Sequence, residues 1–104
     1  MLTEYTDEEK AAAERIKEHW RRYYKAWYKE LRDEGCLVGW ALNWAWDMLQ
    51  HVKGYMSGGM CKAMAESEAF YGMDHDCQAV EAGERRTAKL KKRYRPAAPP
   101  PVGE

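Results

Sequence analysis

The sequence lacks an apolar run long enough to cross a lipid bilayer. Its longest nearly uncharged stretch runs from Cys36 to Leu49, about 14 residues with Asp47 as the single charge, whereas a transmembrane helix needs about 20 residues. We therefore expect no transmembrane helix. The tryptophans within residues 36–56 keep contact with a membrane surface open as an alternative for this stretch.

Cysteine is scarce. Cys36, Cys61 and Cys77 are an odd number of thiols, and no two of them have the CxxC spacing. A disulfide scaffold needs more cysteines, in pairs, so the sequence predicts reduced thiols in an intracellular compartment. The first residues are acidic, unlike the basic start of a secretory signal. An organelle such as the mitochondrion remains an open setting.

Recognisable catalytic patterns are also missing. The two serines, Ser57 and Ser67, do not lie in a GxSxG turn. The densest set of metal-ligating residues is the tetrapeptide 74–77, Asp-His-Asp-Cys, but consecutive residues do not easily close a tetrahedral zinc site. We therefore predict a protein that is not an enzyme, with no catalytic residue, no metal and no cofactor.

One polar stripe crosses the apolar stretch. Asn43, Asp47 and His51 are spaced four apart, which places them on one face of a helix. Such a line could handle a proton or hold a metal, but no second cluster of ligands is visible to complete it. A solvated helix edge is the simpler interpretation.

Charge of one sign does not dominate, because 17 bases balance 17 acids. The charges are nevertheless uneven near the C-terminus. Residues 73–84 hold four acids and no lysine or arginine, and residues 85–95 hold no acid and seven bases: Arg85, Arg86, Lys89, Lys91, Lys92, Arg93 and Arg95. Tyr94 could stack on a nucleobase. A nucleic-acid-binding accessory protein is therefore one alternative, whose affinity should fall steeply with salt.

Aromatic residues are abundant but of a particular kind: five tryptophans and seven tyrosines stand against one phenylalanine. Indole and phenol rings carry a polar tip and are enriched at protein interfaces. Many of them share one helical stripe in the first third of the chain, which predicts that part of this stripe meets another protein. An ordinary core seam is the competing interpretation.

The chain reads as helical throughout. A capping box, Thr6 to Glu9, begins the first helix, and Gly35 ends it. Ser57-Gly58-Gly59 marks a break, and Gly72 is taken as the end of a third helix. The predicted helices cover residues 6–33, 37–55, 60–71 and 75–94. The fold class is therefore an all-α bundle of three to four helices over residues 1–95, with an extended proline-rich tail over 96–104.

These features favour a non-catalytic accessory or structural subunit that packs into a larger macromolecular assembly, such as an organellar membrane complex. The partners would be protein subunits of that assembly. The alternative is a small helical inhibitor or sequestering protein of the phage type, which blocks a host enzyme or nucleic-acid complex. The residues expected to contact the partner are Trp20, Tyr23, Tyr24, Trp27, Tyr28, Trp40, Trp44, Arg85, Arg86, Lys89, Lys92, Arg93 and Tyr94.

Overall fold

The computed structural model describes residues 5–82, which form four α-helices and contain no strand within that range. The helices are α1 (Asp7–Tyr23), α2 (Lys25–Asp33), α3 (Leu37–Ser57) and α4 (Lys62–Glu81). α3 packs against both α1 and α4. The predicted all-α bundle is confirmed, while the proline-rich tail over 96–104 lies outside the described residues.

The first helix begins where the capping box predicts. The Glu9 backbone N–H donates to Thr6 Oγ1 (3.0 Å), and the Thr6 N–H donates to Glu9 Oε1 (2.8 Å). Both bonds satisfy backbone donors that a helix N-terminus otherwise leaves unpaired. Acidic residues in the first turn also complement the positive end of the helix dipole.

Two helices end in the same way, on a glycine in the left-handed region. Gly35 follows α2 with φ 73°, and Gly59 follows α3 with φ 104°. In each case the next residue reaches back: the Cys36 N–H donates to the Leu31 carbonyl and the Met60 N–H to the Tyr55 carbonyl. This Schellman arrangement requires a residue without a Cβ, so the predicted stops at these glycines are confirmed.

The prediction of one continuous helix over 6–33 is wrong, because the helix is interrupted at Tyr24. This residue has φ −134° and ψ 58°, and its hydroxyl donates to Asp74 Oδ1 on α4 (2.6 Å). The helical spacing of the aromatic residues continues across the break, so periodicity did not reveal it. A tertiary contact here overrides local helix propensity.

The prediction of separate helices over 60–71 and 75–94 is also wrong within the described range. α4 runs unbroken through Gly72, from Lys62 to Glu81. A glycine in a helix interior costs only about 1 kcal/mol, and the buried stripe continues across it. That stripe comprises Ala65, Ala69, Met73, Cys77 and Val80.

A cluster of three tryptophans fills the centre of the core. Trp20 of α1, Trp27 of α2 and Trp44 of α3 have ring centroids 4.5 to 5.5 Å apart. The Trp20 indole N–H donates to the buried Cys77 sulfur of α4 (3.1 Å). All four helices therefore meet at one cluster. Within residues 5–82, none of the helices combines the length and the apolarity that a bilayer crossing requires.

Candidate functional site

Four aromatic residues that the sequence assigned to a partner surface lie inside the chain's own core. Trp20 and Trp44 are fully buried, and Tyr24 and Trp27 are nearly so. Trp20, Tyr24 and Trp27 lie on the stripe that suggested an interface, and α3 and α4 cover it. Trp44 of α3 packs against Trp20 and Trp27 from the other side. The expectation that these four side chains face a partner is therefore corrected.

Three of the assigned aromatic residues do reach the surface. Tyr23 is 65% exposed, and Tyr28 and Trp40 are half-buried against the edge of the core. The remaining assigned residues belong to the basic segment: Arg85, Arg86, Lys89, Lys92, Arg93 and Tyr94. They lie outside the described residues, so their role stays a prediction.

Asp74 is the centre of a hydrogen-bonded network between α1 and α4. Its Oδ1 accepts from the Tyr24 hydroxyl (2.6 Å) and lies 2.7 Å from His19 Nε2, while Oδ2 accepts from Gln78 Nε2 (3.0 Å). The His19 ring also packs edge-on to Phe70 at 4.9 Å. Both carboxylate oxygens have partners in this network, which joins α1 to α4.

The ionisation of this network follows from its environment. Burial opposes charge on Asp74, but the hydrogen bonds from His19, Tyr24 and Gln78 outweigh it and lower the pKa of the carboxyl group. Burial, followed by the bond to Asp74, raises the pKa of the Tyr24 hydroxyl. Burial also raises the pKa of the Cys77 thiol, so this cysteine packs as a neutral group and not as a reactive thiolate.

The tetrapeptide 74–77 does not form a metal site. Because the residues are consecutive on a helix, their side chains diverge: Asp74 faces α1, Cys77 bonds to Trp20, and His75 is exposed with its ring against Tyr71. Asp76 instead lines a groove toward α3. No three ligating side chains among residues 5–82 come close enough together to hold a metal ion.

The polar stripe of α3 is buried at its first residue and exposed at its last. Asn43 is fully buried, and neither its amide oxygen nor its amide nitrogen has a hydrogen-bond partner in the described part of the chain. Asp47 is half-buried and His51 is exposed, with His51 Nδ1 3.0 Å from the Asp47 carbonyl. Only the second half of the stripe is a solvated edge, because Asn43 points into the protein.

That second half forms one wall of a groove between α3 and α4. The groove has a volume of about 110 Å³. Its lining is apolar at the floor and acidic at the rim: Trp44, Asp47, Met48, His51, Tyr55, Ala69, Gly72, Met73 and Asp76. Sites for drug-sized ligands are about 300 Å³ or larger, so this groove fits the end of one side chain and not a cofactor.

Gly72 opens the α4 wall of this groove. It lies in regular helix, since its φ is not positive, and a Cβ at this position would meet no heavy atom within 4 Å outside its own helix backbone. Neither backbone geometry nor internal packing therefore requires glycine here. Its neighbours one turn away include Glu68, His75 and Asp76, so the rim around the gap is polar and largely acidic.

Large apolar side chains are also exposed on α3 and α4. Tyr55 and Met56 at the end of α3 are partly exposed, and Met64 and Tyr71 on α4 are 58% and 64% exposed. The spacing of seven between Met64 and Tyr71 places both on one face of α4. That face points away from the groove, because Tyr71 lies two residues from both Ala69 and Met73 of the groove lining, about 200° around the helix. The groove and this outward face of α4 together make up the candidate site, which we call the α3–α4 surface.

The sequence identified only part of this surface. It placed Asp47 and His51 on one helix face, but it divided α4 at Gly72 and so separated Ala69 and Gly72 from Asp76. Had residues 62–81 been read as one helix, the spacing of three and four between these residues would have placed them on a single face. Comparison of the chain with protein-family models, with curated proteins and with solved structures gave no match.

Proposed function

We propose that this protein is a non-catalytic subunit that packs into a larger macromolecular assembly through its α3–α4 surface. The observation that carries the proposal is the exposure of Met64 and Tyr71 on the same outward face of α4, while Tyr55 and Met56 of α3 are also partly exposed. Aromatic and methionine side chains are enriched in interface cores. The groove between α3 and α4, with Asp47 and Asp76 in its lining, adds a polar contact that fixes orientation.

The electrostatics of α4 narrow the chemistry of the partner. Between its first and last residues α4 carries one lysine, Lys62, against five acids: Glu66, Glu68, Asp74, Asp76 and Glu81. A partner that covers this helix therefore meets negative potential, which favours a basic surface and faster association with it.

The test is the size of the species that contains the full chain in extracts of its native source. We expect the wild-type chain to sediment with stoichiometric partners, and the double variant Met64→Ser/Tyr71→Ser to sediment as the free protein. Gln50→Ser, an exposed change on the same molecule, should leave the assembly intact. A wild-type chain that sediments alone in the native extract contradicts the proposal.

We propose an organellar membrane complex as the setting of this assembly. The half-buried indoles Trp40 and Trp46 of α3 support it, because tryptophan favours regions where one end of the ring is apolar and the other wet. Fractionation of organelles and their membranes tests this setting. Recovery of the chain only in the cytosolic fraction contradicts it.

One observation favours the second candidate, a small inhibitor or sequestering protein. The tryptophan cluster gives the chain a core of its own, which is what a protein that acts alone before meeting its target requires. Such a protein should be monodisperse in isolation and should reduce the activity of the enzyme or nucleic-acid complex that it captures. A subunit instead stays with active partners, so an activity assay of the purified complex separates the two.

The nucleic-acid alternative depends on the basic segment 85–95, which lies outside the described residues. A triple change of Lys89, Lys91 and Lys92 to Glu, together with the salt dependence of binding, tests it. Unchanged affinity in the triple variant contradicts a role in binding nucleic acid.

A further inference from the structure

The α3–α4 groove combines features that select one kind of side chain. Its floor is apolar through Met48, Met73 and the edge of Trp44, and its rim carries the carboxylates of Asp47 and Asp76. A long cationic side chain matches both, because its methylene stem packs on apolar surface while its charged end reaches a carboxylate. Arginine fits better than lysine, since its planar guanidinium also stacks on rings such as that of Tyr55 and pairs with carboxylates in a fixed geometry.

The volume of the groove agrees with this occupant. About 110 Å³ accommodates the end of one side chain and excludes a small-molecule cofactor. A metal ion is also a poor occupant, because no three ligating groups among residues 5–82 approach one another closely enough. The groove is therefore shaped for a protein side chain.

Gly72 is the second, independent indication. A glycine in the middle of a helix destabilises it relative to alanine, and the described fold gives no reason for it, as an added Cβ would meet nothing within 4 Å. The space that a side chain at position 72 would take up is groove space. Gly54 also has nothing within 4 Å of an added Cβ but lines no groove, so the indication at Gly72 is its position in the groove wall, where the missing side chain leaves space for an occupant.

We propose that the α3–α4 groove receives an arginine side chain from a basic helix of a partner protein, and that the absence of a side chain at Gly72 leaves room for it. This inference rests on the proposed function and names the partner's chemistry. The partner helix would lie along the seam between α3 and α4 with its arginine in the groove, and a neighbouring part of the partner would cover Met64 and Tyr71 on the outward face of α4. This is the helix-in-groove mode of recognition.

Two other occupants fit less well. A second copy that packed its α4 on this α4 would oppose one acidic helix to another, which like-charge repulsion disfavours. The chain's own basic segment, residues 85–95, offers Leu90 and Tyr94 as its only large apolar residues. Those two residues are few for covering both Met64 and Tyr71 as well as the α3 side of the surface.

The experiment selects binders without knowledge of the partner. A phage-displayed library of random 14-residue peptides is panned on the immobilised full chain. We expect enrichment of peptides that carry arginine with apolar residues three or four positions away. A selected set without enrichment of basic residues, or no selected peptide, overturns the proposal.

Variants then locate the binding site. For a selected peptide, Gly72→Leu in the chain and Arg→Gln in the peptide should each weaken binding at least tenfold, and Asp76→Asn should weaken it severalfold. Gly54→Leu is the matched control: Gly54 is also a glycine within a helix with nothing within 4 Å of an added Cβ, but it does not line the groove. Equal affinity of the Gly72→Leu and Gly54→Leu variants overturns the proposal.

Two further measurements on these proteins test whether the variants are folded and whether another occupant fills the groove. Gly72→Leu and Gly54→Leu should both melt at or above the wild-type temperature, because leucine is a better helix former than glycine. A loss of binding by Gly72→Leu is then not unfolding. If a synthetic peptide of residues 83–95 displaces a selected peptide, the chain's own basic segment is the occupant and the assignment to a separate partner is overturned. The same conclusion follows if added free chain displaces the peptide and the chain self-associates in sedimentation.

Failure of the arginine-binding proposal can be distinguished from failure of the proposed subunit function. If the wild-type chain sediments within an assembly and the Gly72→Leu chain does so equally well, the subunit function stands and the groove is not the contact. If the wild-type chain sediments alone in its native source while selected peptides still require Gly72, the arginine-binding groove stands and the assembly does not.

Discussion

At the scale of single residues, the described part of the molecule contains buried polar groups with hydrogen-bond partners and others without, among them the Asn43 amide. Asp74 accepts hydrogen bonds from Tyr24 and Gln78 and lies within hydrogen-bond distance of His19. Asn43 is fully buried, whereas Asp74 is partly exposed, and the Asn43 amide has no partner among residues 5–82. The two residues should therefore respond to substitution in opposite directions.

Replacement of Asp74 should destabilise the protein in a pH-dependent way. The pKa of this carboxyl group is lowered in the folded state, so its ionised form contributes stability above the unfolded value of about 3.9, and the contribution is lost as the pH falls through the folded pKa. We expect Asp74→Asn to lower the free energy of unfolding by about 1–2 kcal/mol at pH 7.

Urea unfolding of both proteins between pH 7 and pH 2.5 measures this effect. The difference between wild type and Asp74→Asn should narrow below about pH 4. Asp33→Asn, which removes an exposed ion pair with Lys29, serves as the control and should cost at most about 1 kcal/mol. A difference that is the same at every pH shows that the carboxylate charge does not matter.

Replacement of Asn43 by leucine should stabilise the isolated protein. A buried amide without a hydrogen bond costs roughly 1–3 kcal/mol, and leucine is similar in size and apolar. We expect Asn43→Leu to raise the free energy of unfolding by about 1 kcal/mol, measured by urea denaturation. Gln50→Leu, an exposed change on the same helix, should stay within about 0.5 kcal/mol of wild type. Destabilisation by Asn43→Leu indicates that the amide has a partner.

At the scale of helices, the sequence predicted where helices begin and end more reliably than whether a helix continues without a break. The capping box at Thr6 and the glycines Gly35 and Gly59 are local signals, because each depends on residues within one turn, and all three predicted boundaries are confirmed. The interruption at Tyr24 and the continuity at Gly72 depend on contacts with other helices. A pattern that spans one element cannot contain that information.

The same limit explains the candidate site. Asp47 and His51 share a helix, so their spacing revealed a common face. Asp76 and Tyr71 lie on α4, whose position beside α3 depends on tertiary packing. The aromatic stripe was recognised, but the sequence did not show that α3 and α4 cover Trp20 and Trp27 while Tyr71 stays outside.

The turn between α3 and α4 should depend on one glycine and not on its neighbour. Gly59 has φ 104°, where a Cβ is strained, whereas Gly58 has φ −83° and an added Cβ would make ordinary contacts. We expect Gly59→Ala to lower the free energy of unfolding by about 1–2 kcal/mol. Gly58→Ala is the matched control and should change it by less than about 1 kcal/mol. Thermal denaturation of the two variants measures the contrast, and equal effects contradict the Schellman assignment.

At the scale of the whole molecule, one cluster connects every described helix. α1, α2 and α3 each contribute a tryptophan to it, and α4 joins through the bond between Trp20 and Cys77. A small domain has a single core and little stability to spare. Loss of the contacts at this cluster therefore removes support from all four helices at once, and no helix has a separate core on which to persist.

Unfolding of the full chain should accordingly be cooperative. Far-UV circular dichroism reports the helices and tryptophan fluorescence reports the cluster, and we expect their thermal transitions to coincide. Trp44→Phe leaves part of the central volume empty and should lower both midpoints together, by several degrees. Trp40→Phe, a half-buried position outside the three-ring cluster, should lower them less. Two separated transitions in the wild type contradict a single core, because helix content would then survive without the tryptophan packing that connects α1 to α4.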